Sequence, residues 1–227
     1  MKQERENMKK DIIVYDFDKT IYGGESGTNF FTYYFKKYHV KASLFFLLYL
    51  RYVFLYLIKI IDLKRLKEKF YVFLEKHSEK EIQQIIDDFW TVYSKEIYEW
   101  TGSELEKNKK EAELVIVSSA TPLFLIEKFL LSVGYDVVFG TDFKKGKKGE
   151  FVAEIDGENN KGIEKVKKLN KWAKENNIDY NIVKFYSDSL ADKPLFDIAE
   201  KKYWIKKGEK VEGMPDRKTI IDILFWK

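Results

Sequence analysis

Residues 12–20 read Ile-Ile-Val-Tyr-Asp-Phe-Asp-Lys-Thr, an apolar run followed at once by two carboxylates. Consecutive β-branched and aromatic residues are typical of a buried parallel strand. The carboxylates of Asp16 and Asp18 would repel each other at one site, and a divalent metal or a role in phosphate transfer is the usual compensation. The alternative is an exposed acidic turn in which Thr20 caps a helix.

Polar residues also follow two later apolar runs. Residues 114–117 (Leu-Val-Ile-Val) lead into 118–122 (Ser-Ser-Ala-Thr-Pro), and residues 183–186 (Val-Lys-Phe-Tyr) lead into 187–192 (Ser-Asp-Ser-Leu-Ala-Asp). Between them, residues 162–165 (Gly-Ile-Glu-Lys) open a basic helix. Because the carboxyl ends of strands in open α/β sheets converge on one crevice, we expect these groups to share a site.

In their order and spacing, these motifs resemble those of the haloacid dehalogenase superfamily of phosphohydrolases, in its phosphoserine-phosphatase-like branch. The motifs span almost the whole chain. The resemblance implies a doubly wound parallel α/β sheet with an inserted helical cap domain. It also implies a Mg²⁺-dependent enzyme that hydrolyses a phosphomonoester through an aspartyl-phosphate.

The resemblance assigns Asp16 as the nucleophile and Asp18 as the acid that protonates the leaving oxygen and later activates water. Asp16, the backbone carbonyl of Asp18 and the carboxylate of Asp188 match the magnesium ligands, since Mg²⁺ prefers oxygen donors. Asp192 matches a supporting acid. It could instead be an N-cap-like residue before Pro194.

The phosphate-binding groups implied by the resemblance are Thr20, Ser119 and Lys165. Ser118 competes with Ser119, although the family pattern aligns best with Ser119. Lys161 competes with Lys165 for the third motif, where an ammonium offsets charge on the transferring phosphoryl group.

Glu25 matches the acidic residue that contacts the substrate amine in phosphoserine phosphatases. Alternatively, it is an acid favoured in a first helical turn by the helix dipole. In the fourth motif, Ser187-Asp188-Ser189 replaces the Gly-Asp-Gly of true phosphoserine phosphatases, which weakens a serine-specific reading.

The predicted strands are 12–17, 114–118, 137–139, 183–186 and 203–205, with a hairpin arm at 149–155; helices are predicted at 122–132, 162–176, 193–201 and 216–226. Alternation of strands with helices favours a parallel sheet. Residues 22–100 show a helical pattern throughout, so we expect a core formed by 1–21 and 101–227 and an inserted helical cap formed by 22–100.

Residues 42–61 form a long aliphatic and aromatic run, which as one helix would span about 30 Å, close to one hydrocarbon thickness. Arg51 at its centre and the return of the chain to the same core argue against a membrane span. The run resembles the cap of the phosphatidylglycerophosphatase C type. We therefore expect peripheral membrane contact through 42–61, with a buried cap helix or a cap-to-cap homodimer as alternatives.

The composition limits the classes of binding partner and the cellular compartment that fit this chain. With 41 Lys and Arg against 37 Asp and Glu in 227 residues, the charge is too balanced to indicate nucleic-acid binding. The absence of cysteine excludes disulfides and thiol nucleophiles and fits a reducing compartment. We see no signal peptide in the charged start, so the predicted location is cytoplasmic, with association at the inner face of the membrane as an extension of the lipid hypothesis.

These observations favour a magnesium-dependent phosphatase acting on a lipid or other amphiphilic phosphate. A small-metabolite phosphatase of the phosphoserine kind is the alternative enzyme. A non-catalytic, membrane-associated interaction protein is the alternative from another class.

Overall fold

The computed structural model describes residues 9–38, 42–75 and 77–215. The predicted helix 216–226, residues 1–8 of the charged start and Lys41 lie outside these ranges. The described strands are β1 (Lys10–Tyr15), β2 (Leu114–Pro122), β3 (Val137–Thr141), β4 (Phe143–Lys145), β5 (Phe151–Ile155), β6 (Tyr180–Ser187), β7 (Ala199–Lys206) and β8 (Glu209–Glu212). The described α-helices are α1 (Ser26–Lys37), α2 (Ala42–Leu57), α3 (Leu63–Phe70), α4 (Glu79–Tyr93), α5 (Trp100–Glu111), α6 (Leu123–Ser132), α7 (Ile163–Glu175) and α8 (Lys193–Ile198).

Six strands form one sheet in the order β3-β2-β1-β6-β7-β8, while β4 and β5 form a separate antiparallel pair. The pairs from β3 through β7 are parallel, and β8 adds an antiparallel edge. Residues Ile12 to Tyr15 of the interior strand β1 are all fully buried, which explains their continuous apolar character. The predicted α/β fold with a parallel sheet is confirmed.

The register of the sheet brings the motif-bearing strand ends level. Tyr15 pairs with Val117 of β2 and with Tyr186 of β6. The backbone N–H of Asp16 then donates to the carbonyl oxygen of Tyr186 at 2.8 Å. The residues that follow these three strand positions therefore meet at the carboxyl edge of the sheet.

Tyrosine rings stack across three neighbouring strands directly below this edge. The ring centroids of Tyr15 and Tyr186 lie 4.2 Å apart, and those of Tyr186 and Tyr203 lie 4.7 Å apart. The side-chain amide of Asn108, on α5, donates to the Tyr15 hydroxyl and, at 3.2 Å, to the Tyr186 hydroxyl. Two of these rings, Tyr15 and Tyr186, immediately precede the motifs that begin at Asp16 and Ser187, so the stack packs directly beneath the site.

Helices α1 to α4 lie between β1 and β2 in the chain and pack around a cluster of aromatic rings: Phe30, Phe31, Phe35, Phe45, Phe70, Phe73 and Phe89. Ser78 and Glu81 form a capping box at the start of α4. Asp62 accepts from the N–H of Arg65 at 2.8 Å and so begins α3. These polar caps set where the helices begin, and the ring cluster holds them together.

Helix α2 is shorter than the twenty-residue helix predicted from the apolar run, because the chain turns after Leu57. Lys59 takes the left-handed conformation (φ 59°), and the N–H of Ile60 donates to the carbonyl of Leu55 at 2.9 Å. A left-handed residue with such a backward bond is the usual helix termination. Within the described part of the chain, no helix is long and apolar enough to cross a membrane.

The two faces of α2 have different surroundings. Phe45 and Tyr49 face the ring cluster, where Phe45 contacts Phe31 and Phe35 and Tyr49 contacts Phe70. The opposite side leaves large apolar side chains in solvent: Leu44, Phe46, Leu47, Leu48, Leu50, Phe54 and Leu57. We call these seven residues the exposed α2 face. A face of this size on a protein surface generally marks an interaction site.

Several element boundaries differ from those predicted. The helix expected at 193–201 ends at Ile198, because Ala199 and Lys201 join β7 and pair with Ile182 and Lys184 of β6. Helix α5 and strand β8 were not predicted. The hairpin β4–β5 leaves the main sheet and contacts α3, where the N–H of Ile155 donates to Glu68 at 3.0 Å.

Candidate active site

A cavity of about 190 Å³ opens at the carboxyl edge of the sheet. Its wall contains six of the predicted site residues: Asp16, Asp18, Ser119, Lys165, Asp188 and Asp192. Glu25 also lies on this wall, whereas Thr20 does not. Residues up to 176 positions apart in the sequence thus reach one small space, as the strand-end argument predicted.

Lys165 is the cation at the centre of the site. Its Nζ lies 2.9 Å from Oδ1 of Asp16 and 2.7 Å from Oδ2 of Asp192. Only 2% of the lysine side chain is exposed. Ser187 donates to the same Asp192 oxygen at 2.8 Å. Asp192 therefore uses its carboxylate to hold the lysine, in addition to its position at the start of α8.

Burial and ion pairing shift the pKa values of Asp16 and Lys165 in opposite directions. Burial raises the pKa of Asp16 to about 7, although Lys165 opposes the shift and Asp192 and Asp188 reinforce it. For Lys165, burial lowers the pKa, but Asp16 and Asp192 more than offset this, so the pKa lies above its ordinary value. The two carboxylates therefore favour the charged form of Lys165 beside Asp16.

The carboxylate of Asp18 is held at both oxygens. Oδ1 accepts from the backbone N–H of Ser26 at 2.9 Å, and Oδ2 accepts from the hydroxyl of Thr121 at 2.8 Å. Burial raises the pKa of Asp18, while these two donors lower it, and the net direction is upward. A carboxyl that retains its proton more readily than usual suits an acid that protonates a leaving group.

Thr20 is fully buried behind the cavity wall. Its hydroxyl oxygen accepts from the backbone N–H of Asp188 at 3.1 Å, which ties the first motif to the fourth. Lys19, which directly follows Asp18, takes a left-handed conformation (φ 57°), and its ammonium pairs with Glu25. In the structure Thr20 thus contacts the backbone of Asp188. Its contact with phosphate stays a prediction.

The two serines of the second motif point to different places. Both are buried, but only Ser119 lines the cavity, while the Ser118 hydroxyl accepts from the side-chain amide of Asn160 at 3.2 Å. Ser119 Oγ accepts from the N–H of Thr121 at 3.1 Å, which leaves its own proton for a ligand. The geometry therefore favours Ser119 as the predicted phosphate-binding hydroxyl.

A second cavity of about 360 Å³ adjoins the first and shares Asp18 and Glu25 with it. Tyr49, Phe70 and Tyr71 from the helical insert form much of its wall. The half-buried Lys67 of α3 also lies on this wall. Burial of its ammonium and the nearby Lys161 lower the pKa of Lys67 to about 7, with Asp18 opposing the shift.

The donor set of the small cavity fits a hard divalent cation. Across residues 9–38, 42–75 and 77–215, no group of three or more histidine, aspartate or glutamate side chains is arranged to hold a metal. A magnesium ion would instead use the carboxylates of Asp16 and Asp188, which are close enough for Asp188 to raise the pKa of Asp16, together with the Asp18 carbonyl and water. The assignment of these residues as magnesium ligands stays a prediction.

Sequence reasoning missed several residues of the site. Thr121 lay within a recognised motif but had no predicted role, and its bond to Asp18 depends on a bend in the chain after Ser118. Ser26 contributes a backbone N–H, which no side-chain pattern reveals. Lys67 lies in an ordinary charged helix, and nothing in its sequence context distinguishes it from the neighbouring Lys64 or Lys69.

Comparison with known proteins agrees with this geometry. A model of the haloacid dehalogenase-like hydrolase family matches residues 13–197, and the chain belongs to that family. No curated protein sequence matches the chain significantly. The prediction of an enzyme from this superfamily is confirmed.

Solved structures share the fold at low sequence identity. A protein of unknown function from Bordetella pertussis Tohama I is 18% identical with a TM-score of 0.74, and the match covers 86% of this chain and 89% of that one. A phospho-aspartyl intermediate analogue of phosphoserine phosphatase is 19% identical with a TM-score of 0.56 over 86% of each chain. A phosphoserine phosphohydrolase-like protein from Francisella tularensis subsp. tularensis SCHU S4 is 18% identical with a TM-score of 0.57, again over 86% of each chain. At these identities the likeness establishes the fold alone.

Proposed function

We propose that the protein is a magnesium-dependent phosphomonoester hydrolase that transfers the phosphoryl group to Asp16. The observation that carries the proposal is the contact of Asp16 with the buried Lys165 in a cavity that also contains Asp18 and Ser119. One solved structure with the same fold is described as a phospho-aspartyl intermediate analogue, which supports this chemistry by analogy. Family membership weighs against the non-catalytic alternative.

Each step uses a group with a defined position. Lys165 holds Oδ1 of Asp16, so Oδ2 is the atom that attacks phosphorus as the bond to the leaving oxygen breaks. Asp18 gives its proton to that oxygen. In the second step, Asp18 takes a proton from a water molecule that attacks the same phosphorus, which releases inorganic phosphate and restores the Asp16 carboxylate.

Two other side chains contact the phosphoryl group in this proposal. Ser119 donates its hydroxyl proton to a phosphoryl oxygen, and Lys165 offsets charge in the transition state. Mg²⁺, held by Asp16, Asp188 and the carbonyl of Asp18, would neutralise negative charge on the carboxylates and on the phosphate when it is bound.

For the substrate, we propose an amphiphilic phosphomonoester such as a lipid phosphate. The second cavity has Asp18, the proposed proton donor to the leaving group, on its wall, together with Leu63, Leu66 and Phe70. Tyr49, also on this wall, belongs to the same helix as the exposed α2 face. An apolar chain could therefore extend from the cavity along α2, and burial of apolar area there would contribute about 25 cal/mol per Å².

The phosphoserine-type alternative has one supporting observation. Glu25 lies on the walls of both cavities and could meet a substrate amine, although in the structure its carboxylate pairs with Lys19.

For either substrate class, we take residues 22–100 as a cap over a core formed by 1–21 and 101–227. A cap-to-cap homodimer and a cytoplasmic location stay predictions.

A phosphate-release assay tests the proposal directly. Purified protein with Mg²⁺ is offered phosphatidylglycerophosphate, lysophosphatidate, phosphoserine and sugar phosphates, with liposome sedimentation in parallel. Preference for the lipid phosphates, together with sedimentation, is the expected result. Preference for phosphoserine would favour the alternative, and no release from any phosphomonoester, including an aryl phosphate, would refute the proposed function.

A further inference from the structure

Lys67 connects the helical insert to the second motif. It lies on α3, and its Nζ donates to the carbonyl oxygen of Ala120, to Thr141 Oγ1 at 3.0 Å and to Asn159 Oδ1 at 2.8 Å. These acceptors belong to β2, to β3 and to the loop before α7. One ammonium from the insert is thus bonded to three separate segments of the core.

The bond to Ala120 matters because of the peptide that this residue shares with Thr121. The carbonyl of that peptide accepts from Lys67, and its N–H donates to Ser119 Oγ at 3.1 Å. A peptide group is planar, so bonds at both of its polar atoms fix the orientation of the whole unit. Thr141 Oγ1, which also lies 2.7 Å from the Ala120 oxygen, reinforces this arrangement.

The orientation of that peptide determines where the Thr121 side chain points. The Thr121 hydroxyl donates to Oδ2 of Asp18 at 2.8 Å and is one of the two donors that hold this carboxylate. A continuous series of contacts therefore runs from Lys67 through the Ala120–Thr121 peptide to Asp18. Hydrogen-bonded neighbours of this kind commonly orient the group that does the chemistry.

We propose that Lys67 is a positioning residue for Asp18, and that it holds the carboxyl toward the leaving-group oxygen only when α3 is seated against the core. The proposal rests on the proposed function, because it concerns the residue that protonates the leaving group. Lys67 itself transfers no proton. Its effect passes through Thr121, and proton delivery is thereby coupled to the placement of the insert.

The test uses substrates that differ in their need for a proton. An alkoxide is a poor leaving group and must be protonated as it departs, whereas 4-nitrophenolate leaves without help. General acid catalysis typically contributes about 10²–10⁴-fold. We expect Lys67→Met to lower kcat/KM, which reports the first phosphoryl transfer, at least about tenfold more for octyl phosphate than for 4-nitrophenyl phosphate, in line with partial loss of that contribution.

Lys64→Met is the matched control. Lys64 lies on the same helix and also reaches the core, through the carbonyl of Gly157 and through Glu158 at 3.5 Å, but its partners are not in the second motif. It should leave the ratio of the two kcat/KM values unchanged. Thr121→Val removes only the hydroxyl that reaches Asp18 and should change the ratio as Lys67→Met does, even if the latter variant folds poorly.

An equal loss on both substrates in Lys67→Met and Thr121→Val would overturn the assignment, because a general structural role predicts such a loss. A change of ratio in Lys64→Met equal to that in Lys67→Met would overturn it as well. If the wild type turned over neither substrate, the proposed function and the role assigned to Lys67 would both be contradicted. If the wild type is active and the variants leave the ratio between octyl phosphate and 4-nitrophenyl phosphate unchanged, only the role assigned to Lys67 is contradicted.

Discussion

Nζ of Lys165 lies 2.9 Å from Oδ1 of Asp16, and both side chains are almost completely enclosed by the protein. An ammonium bonded to one carboxylate oxygen fixes the rotation of the carboxyl group. The other oxygen, Oδ2, is not the one bonded to Lys165. In the proposed reaction Oδ2 attacks phosphorus, and the first two predictions follow from the pair.

Asp16→Asn should abolish turnover, because an amide cannot form the acyl phosphate. The substitution nearly conserves volume, so the circular dichroism spectrum and the melting temperature should show a folded protein. A beryllium fluoride complex should form with the wild type and fail to form with the variant. Turnover within about tenfold of wild type would contradict the covalent mechanism, since a nucleophile is expected to contribute far more.

Lys165→Met should destabilise the fold as well as stop catalysis. Removal of the lysine leaves the buried carboxylates of Asp16 and Asp192 without their cation, which typically costs about 3–5 kcal/mol. Lys167→Met on the same helix is the control, because its pairing with Glu164 is exposed and should change the free energy of unfolding by less than about 1 kcal/mol. Urea titration of both variants measures the difference. Equal free energies of unfolding for the two variants would mean that the contacts of Lys165 with Asp16 and Asp192 do not stabilise the fold.

Chelation should stop activity, and added Mg²⁺ should restore it. Asp188→Ala removes one of the two carboxylates proposed to hold the ion, so the Mg²⁺ concentration for half-maximal rate should rise by at least about tenfold, as is common when a metal site is weakened. Asp197→Ala, on a surface carboxylate that pairs with Lys193, is the control and should leave this concentration unchanged. Full activity in excess chelator would remove magnesium from the mechanism.

The two serines of the second motif should respond differently to substitution. Ser119→Ala should lower kcat/KM by about 10²-fold, the effect expected when a donor to a developing charge is lost. Ser118→Ala removes a bond to Asn160 outside the cavity and should act mainly on stability, by about 1 kcal/mol. Steady-state kinetics and thermal melts of both variants separate the roles. The reverse order of kinetic effects would assign the phosphate contact to Ser118.

The exposed α2 face should bind lipid surfaces. Substitution of Phe46, Leu47 and Phe54 by Ser should abolish sedimentation with anionic liposomes and reduce hydrolysis of lipid phosphates. Turnover of 4-nitrophenyl phosphate should be unaffected, since these side chains lie in solvent. Each apolar side chain transferred from water contributes about 1.5–3 kcal/mol when it is fully buried.

Phe45→Ser provides the contrast on the same helix. Phe45 packs against Phe31, Phe35 and Phe73, so its loss should lower the melting temperature and impair both substrates. If the solvent-side triple variant also lost stability and both activities, the α2 face would be part of a protein interface or core, and the lipid hypothesis would fail.

The strand-end motifs could be predicted because they depend on local sequence and on one rule of topology. A buried strand followed by Asp16 and Asp18, and another followed by Asp188, must meet wherever parallel strands share an edge. Lys165 could be predicted for a similar reason, as it lies in the first turn of a helix that begins at that edge. These residues have neighbours in the chain that reveal their location.

Lys67 and Thr121 could not be predicted in the same way. The role of Lys67 depends on how α3 packs against the hairpin β4–β5 and the loop at Asn159, and charged residues on a short helix carry no signal of such packing. The start of β7 was missed because Ala, Glu and Lys favour helices in isolation. Pairing with β6 outweighs that propensity at Ala199.

Lys19, which directly follows Asp18 in the first motif, lies in the left-handed region of backbone space. A side chain there costs about 1–2 kcal/mol relative to glycine. The lysine nevertheless brings a cation to the cavity wall, where its pairing with Glu25 raises its pKa and keeps it charged. Glycine at this position would relieve the backbone strain, whereas lysine adds a positive charge to the site, so stability of the fold and charge in the cavity favour different residues at position 19.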